Sequence, residues 1–235
     1  MPEWQDLTQP ITERVTTHPP GWPYPEFEAY KSHESDGVNA TRVRIVTHCG
    51  THMDAPSHFF SADDHGTIED VTPDEMVTEG VVLDLTDVDR GAAITPADLD
   101  AATEGNPIED GDFVVLDTGM DPTETDEETY LREYAYPGVA AAEYLVDAGA
   151  AVVATDALGV DEPGASIADH EVHRALLPAG VRIVEGVANL GDVAYARHEF
   201  VCTPLPYVGR DGSQVRLLAR ELESVERERE ESEKR

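Results

Sequence analysis

An α/β fold, with α+β as the alternative, is what the sequence predicts: a mixed sheet with helices on its outside. Two observations carry this. Several short runs are continuously apolar and rich in valine and leucine, as expected of strands covered on both faces. In the second half these runs alternate with segments of helical pattern, which is the signature of helices packed over a sheet. The strand candidates are VRIV at 43–46, VVLDL at 81–85, FVVLDT at 113–118, AAVVATD at 150–156, VRIVEG at 181–186, FVCTPL at 200–205 and QVRLLA at 214–219.

Three helices fit between them. Thr95 and Pro96 form an N-cap and first-turn proline for a helix running to about Ala102. A second spans about Val139 to Asp147 and stops at Gly149. A third runs from about Ala168 to Leu177, with Val172, Leu176 and Leu177 at helical spacing, and ends at Pro178 and Gly180. Residues 16–25, TTHPPGWPYP, form an irregular, stiff loop because proline excludes regular structure. Residues 1–220 read as one domain, and 221–235 as a charged extension, helical or frayed.

The chain has 235 residues, with 49 Asp and Glu against 16 Lys and Arg, for a formal net charge of −33. Such an excess repels phosphate backbones and anionic membrane surfaces, so neither nucleic acid nor a membrane is expected as partner. The acids are spread along the chain, a pattern suited to molar salt, where screening reduces self-repulsion. Cys49 and Cys202 are too few for a disulfide framework. With no basic and apolar leader at the start and no apolar run of membrane-spanning length, the expectation is a soluble, reduced, cytoplasmic protein.

The chemistry concentrates in His48-Cys49-Gly50-Thr51-His52-Met53-Asp54-Ala55-Pro56-Ser57-His58. Three histidines and an aspartate sit at even positions, so an extended chain would present them on one face. Full extension would separate His48 from His52 by roughly 13 Å, too far to share one ion at ~2.1 Å bond lengths. The segment must bend, and Gly50 permits it; Pro56 forbids a regular helix across its second half. A solvated His-rich loop is the bland alternative. Imidazoles with a carboxylate form a ligand set suited to Zn²⁺, Mn²⁺ or Fe²⁺. Cys49, flanked by these residues, reads as an inward-packed side chain. No phosphate loop, dinucleotide fingerprint or nucleophile elbow is present.

HCGTHMDAPSHFF resembles the HxGTHxDxPxHF signature of the cyclase family, which includes bacterial-type kynurenine formamidase and isatin hydrolase. The opening QDLTQPI, the element Asp117-Thr118-Gly119, and segments 136–162 and 173–189 resemble that family too, so the likeness covers nearly the whole chain. It implies the cyclase-type swivelling β/β/α fold, a divalent metal (zinc or manganese, one or two ions per subunit), a small-molecule substrate and a homodimer or homotetramer. The activity implied is hydrolysis of an amide or cyclic amide bond, such as the arylformamidase step of tryptophan catabolism. A non-catalytic metal-binding scaffold and a hydrolase of another small carbonyl compound are the alternatives.

By the same resemblance His48, His52 and Asp54 match ligands of a first metal, with Asp54 bridging to a second. His173 matches a ligand of the second, Glu185 a carboxylate touching both, and His58 the proton donor and acceptor. From the residues alone, Glu185 ends an apolar strand, where an unpaired carboxylate is costly without a cation. His170 rivals His173 from one helical turn away. The family's formamidases carry a substrate-contacting tryptophan just before a Pro-Gly pair. Here the loop reads His18-Pro19-Pro20-Gly21-Trp22, which leaves open whether Trp22 or His18 contacts substrate.

Overall fold

A computed structural model describes residues 3–18 and 21–222. The chain opens with strand β1 (Gln5–Asp6), then a hairpin of β2 (Glu26–Lys31) and β3 (Ala40–Arg44) whose turn holds the short helix α1 (His33–Asp36). Strand β4 (His52–Asp54) carries part of the histidine motif and is followed by a 3-10 turn, Pro56–His58, and α2 (Ala62–His65). Next come β5 (Val77–Asp84), β6 (Ala93–Ile94), α3 (Pro96–Ala102), β7 (Phe113–Asp117) and α4 (Glu127–Arg132). The rest is β8 (Tyr136–Pro137), α5 (Val139–Asp147), β9 (Val152–Thr155), α6 (Glu171–Leu176), β10 (Arg182–Glu185), β11 (Arg197–Pro204) and β12 (Gly212–Glu221).

The main sheet runs β1-β12-β11-β5-β7-β9-β10-β4, and β4 also pairs with β12. That last pairing closes seven strands into a barrel. The β5–β7–β9–β10 run is parallel, and the remaining pairs are antiparallel, so the sheet is mixed, as expected. Period-two alternation splits the core into two layers. Phe113, Val115, Val152, Ala154, Phe200 and Leu217 form one cluster with Met53 of β4. Val114, Leu116, Val153 and Ile183 face the other way, against Leu99 of α3, Leu145 of α5 and Leu176 of α6.

The caps act where the sequence places them. Thr95 accepts from the Asp98 N–H while Asp98 returns a bond to the Thr95 backbone, a reciprocal arrangement that satisfies two orphan donors. Helix α5 occupies 139–147 as expected. Asp156, buried after β9, accepts from the backbone N–H groups of Thr118 and Met120 and from the Thr118 hydroxyl, pinning the loop after β7.

Two expectations need correction. The strand expected over VRIV at 43–46 lies earlier: β3 ends at Arg44 and pairs only with β2, in a ribbon whose Val43 faces solvent. The helix expected over 168–177 is interrupted at His170, whose ψ of 78° is not helical. Asp161 accepts the Val172 N–H at 2.8 Å, so a side chain from a distant loop caps a helix that starts at Glu171. The charged extension expected from 221 lies outside the described residues apart from its first two positions, and Glu221 still belongs to β12.

Candidate metal centre

Gly50 sits at φ 65°, the left-handed conformation that favours glycine, and turns the chain between His48 and His52. On β4, His52 and Asp54 point away from the core cluster that takes Met53. Strand β10 runs antiparallel beside β4 with Glu185 directly opposite His52. Gly212 of β12 lies so close on the other flank that an added Cβ would stand 2.8 Å from the Met53 carbonyl oxygen and 2.9 Å from the His48 ring. Helix α6 supplies His173, and the 3-10 turn begun by Pro56 supplies His58. The structure thus brings together all six residues singled out in the sequence. His48, His52, Asp54, His173 and Glu185 are buried.

His48, His52 and His173 each have one ring nitrogen tied down. His52 Nδ1–H donates to the Gly50 carbonyl at 2.9 Å. In the neutral ring that bond leaves the lone pair on Nε2, which is buried with no hydrogen-bond partner. Asp54 Oδ1 and Glu185 Oε2 both lie 3.4 Å from it. Three acceptors facing one another are costly unless a cation sits among them. Donor atoms held at ~2.1 Å by a tetrahedral ion are about 3.4 Å apart, so the donor set fits a divalent metal.

The second lobe repeats the pattern. His173 Nδ1 hydrogen-bonds the Asp161 carboxylate, and His173 Nε2 lies 3.2 Å from Asp54 Oδ2 and 3.5 Å from Glu185 Oε1. His48 presents Nδ1 to Asp54 Oδ1 at 2.6 Å, while its Nε2–H donates to Asp211 Oδ2 at 3.0 Å. Partners of this kind fix the ring and raise its basicity as a ligand. Asp161 and Asp211 escaped the sequence reading. The weak signals were an Asp-Gly pair opening β12 and an aspartate six residues after β9.

Electrostatics follow the geometry. Burial and repulsion from Asp54 oppose the charge on Glu185, but the neighbouring His18, His52 and His173 imidazoles hold its carboxyl below the usual range. Burial likewise opposes the charge on Asp54, and His48, His58 and His173 overcome it. Burial disfavours a charged His48, yet Asp54 and Asp211 carry it up to about 10 in the metal-free chain. His58 behaves oppositely. Burial, aided by His48 and His173, drives it down to about 4 despite Asp54 in the metal-free chain, which favours the neutral imidazole. It stacks on His48 with ring centroids 3.8 Å apart.

A cavity of about 330 Å³ opens over this cluster. His18 and Trp22 both line it, with Phe59, Leu131, Tyr134, Leu158 and Ile167. Trp22 stands edge-on to His48 at 5.9 Å, so its place after Gly21 still brings it to the site. His173, not His170, faces the carboxylates; His170 lies on the cavity wall. Cys49 packs inward, and burial lifts its thiol to about 11.

The Cyclase family model matches residues 5–162. The kynurenine formamidase of Geobacillus thermodenitrificans is 28% identical over 227 residues, covering 94% of this chain and 99% of that protein. The kynurenine formamidase of Salinibacter ruber is 29% identical over 198 residues, covering 83% and 86%. A solved chain described as a predicted metal-dependent hydrolase from Bacillus stearothermophilus is 30% identical with a TM-score of 0.73, covering 92% of this chain and 97% of that one. An isatin hydrolase bound to the product analogue thioisatinate shares the fold at a TM-score of 0.84 and 22% identity, covering 92% and 91%.

Proposed function

The chain belongs to the Cyclase family, and on that premise we propose that it is a divalent-metal hydrolase of an amide or cyclic amide C–N bond, of the arylformamidase type. The observation that carries this reading is the buried, unpartnered Nε2 of His52 between two carboxylates. His48, His52 and Asp54 would hold one ion. His173, with Asp54 and Glu185 shared, would hold a second, because the two oxygens of each carboxylate face different histidines. Zinc or manganese suits imidazole and carboxylate donors. When bound, such an ion supplies Lewis acidity, polarising a carbonyl and making water acidic near neutral pH.

The chain's own residues supply the rest. Trp22, Phe59, Leu131 and Leu158 make an apolar space for an aryl group and exclude water around it. His58, neutral and beside His48, takes the proton lost by the attacking water and passes it to the departing nitrogen, without which an amide nitrogen is a poor leaving group. Buried free Cys49 and Cys202 support a reduced, cytoplasmic setting, and among the described residues no helix is long and apolar enough to cross a membrane. The resemblance carries a homodimer or homotetramer, and the exposed pair Phe27 and Val43 on the β2–β3 ribbon offers an apolar face for it; light scattering measures the assembly. The test of function is metal content together with hydrolysis of aryl formamides, cyclic imides and lactams. Metal-dependent hydrolysis of at least one class is expected. Metal at full occupancy without turnover on any of them would favour a non-catalytic scaffold.

A further inference from the structure

Arg174 follows His173 in α6 and lines the same cavity, where it is the one lysine or arginine among the described residues. Its guanidinium carbon lies 5.3 Å from the centroid of the Phe59 ring, and that ring stacks on the His173 imidazole at 4.5 Å. One phenyl ring therefore neighbours both a fixed positive charge and a histidine of the candidate centre. Acids outnumber bases threefold in this chain, and Arg182, Arg197, Arg216 and Arg220 are each paired with carboxylates. Arg174 forms no ion pair or hydrogen bond with a described residue. The guanidinium rests beside the Phe59 ring at the exposed rim of the cavity with its N–H donors free, and such a fork can receive a carboxylate through two parallel bonds.

Neighbouring groups support this assignment. His170, on the same cavity wall, has a buried Nδ1 without a hydrogen-bond partner. Of the carboxylates lining the cavity, Asp161 is occupied by His173 and the Val172 N–H, and Glu185 by the histidines of the metal centre. Only Glu162 is left to oppose an incoming anion.

The geometry points to an anion subsite at Arg174: the molecules bound here are aryl amides bearing a carboxylate across the ring from the scissile bond. The substrate part of this inference rests on the hydrolase reading; the anion preference does not. The test compares 4-formamidobenzoate with neutral 4-formamidobenzamide as substrates, and 4-aminobenzoate with 4-aminobenzamide as ligands in calorimetry. All are run on the metal-loaded protein at one fixed KCl concentration, because screening weakens the contact.

The wild type should favour each anion by roughly tenfold or more in KM and Kd, as a two-pronged charged contact does. Arg174→Gln should abolish the preference, Arg174→Lys should retain part of it, and Arg174→Glu should reverse it, with KM moving more than kcat. Equal affinity of the wild type for anion and amide would overturn the subsite without any variant needing to fold. So would a preference that survives in Arg174→Gln. If neither formamide is hydrolysed while an Arg174-dependent preference for 4-aminobenzoate persists, the subsite stands and the arylformamidase reading falls.

Discussion

Replacing Asp211 with asparagine should weaken metal binding without unfolding the chain. Asp211 Oδ2 accepts from His48 Nε2 at 3.0 Å and Oδ1 accepts from the Thr47 hydroxyl at 3.1 Å. The backbone carbonyl of Asp211 independently accepts the Ala55 N–H at 2.8 Å, so the join to the neighbouring strand does not depend on the side chain. Asparagine keeps the shape: its oxygen can still face His48 while its amide donates to Thr47. What disappears is the negative charge that makes the imidazole a better donor to a metal and holds its tautomer. Loss of such a partner weakens metal affinity about 10- to 100-fold, equivalent to about 1.4–2.7 kcal/mol. The assay is competitive titration of the metal-free protein with zinc and with manganese against a chelator. Circular dichroism and metal-free melting curves serve as the control for folding. Unchanged affinity in a folded Asp211→Asn variant would refute the reasoning, and Asp211 would then be a strand-end residue only.

Four further outcomes follow from the same geometry. His52→Ala removes the nitrogen that Asp54 and Glu185 surround, and elemental analysis should show most of the bound metal lost; full occupancy would remove His52 from the ligand set. His58→Ala should keep metal yet lose about 10²–10⁴-fold in turnover, the usual contribution of a proton-transfer group; a metal-free variant would make His58 a ligand. Burial opposes charge on His48 and His173, but surrounding carboxylates raise each to about 10 in the metal-free chain. Raised values stabilise fully below the ordinary imidazole pKa and fade as pH rises through the folded one. The metal-free melting temperature should therefore fall between about pH 6.5 and 10, and the metal-loaded protein should show a flatter profile; identical profiles would contradict this. Finally, a net charge of −33 should make the melting temperature rise steeply from ~0.1 M to ~2 M KCl, more than in an osmotically matched sugar; equal stability at both concentrations would remove the reading of adaptation to salt.

The sequence exposed the part of the site that is local. His48, His52, Asp54 and His58 lie within eleven residues, their even spacing gives one face, and Gly50 and Pro56 state how the chain must depart from strand and helix. Glu185 was marked by the family resemblance, with its place at the end of an apolar strand in agreement, and β10 does set it opposite His52. Asp161 and Asp211 were not legible, since isolated aspartates carry little signal in a chain with 49 acids. Their roles arise from contacts 12 and 163 residues apart in sequence. The apolar runs at 81–85, 113–118 and 181–186 located the strands found at 77–84, 113–117 and 182–185, though the first begins four residues earlier in the polar stretch VTEG, whereas Val43 misled because a β-branched residue on an exposed ribbon looks locally like one in a core. Closure of the sheet through β4 and β12 depends on pairing Asp54 with Gly212, a distant register that no local pattern encodes.

The central claim is that His48, His52, Asp54, His173 and Glu185 hold divalent metal. Anomalous diffraction from crystals of the metal-loaded protein, collected on both sides of the zinc and manganese edges, tests it most directly. A peak bounded by His48, His52 and Asp54 is expected, and a second bounded by Asp54, His173 and Glu185 where two ions bind. Absence of any anomalous peak within bonding distance of His52 Nε2 in fully loaded crystals would contradict it.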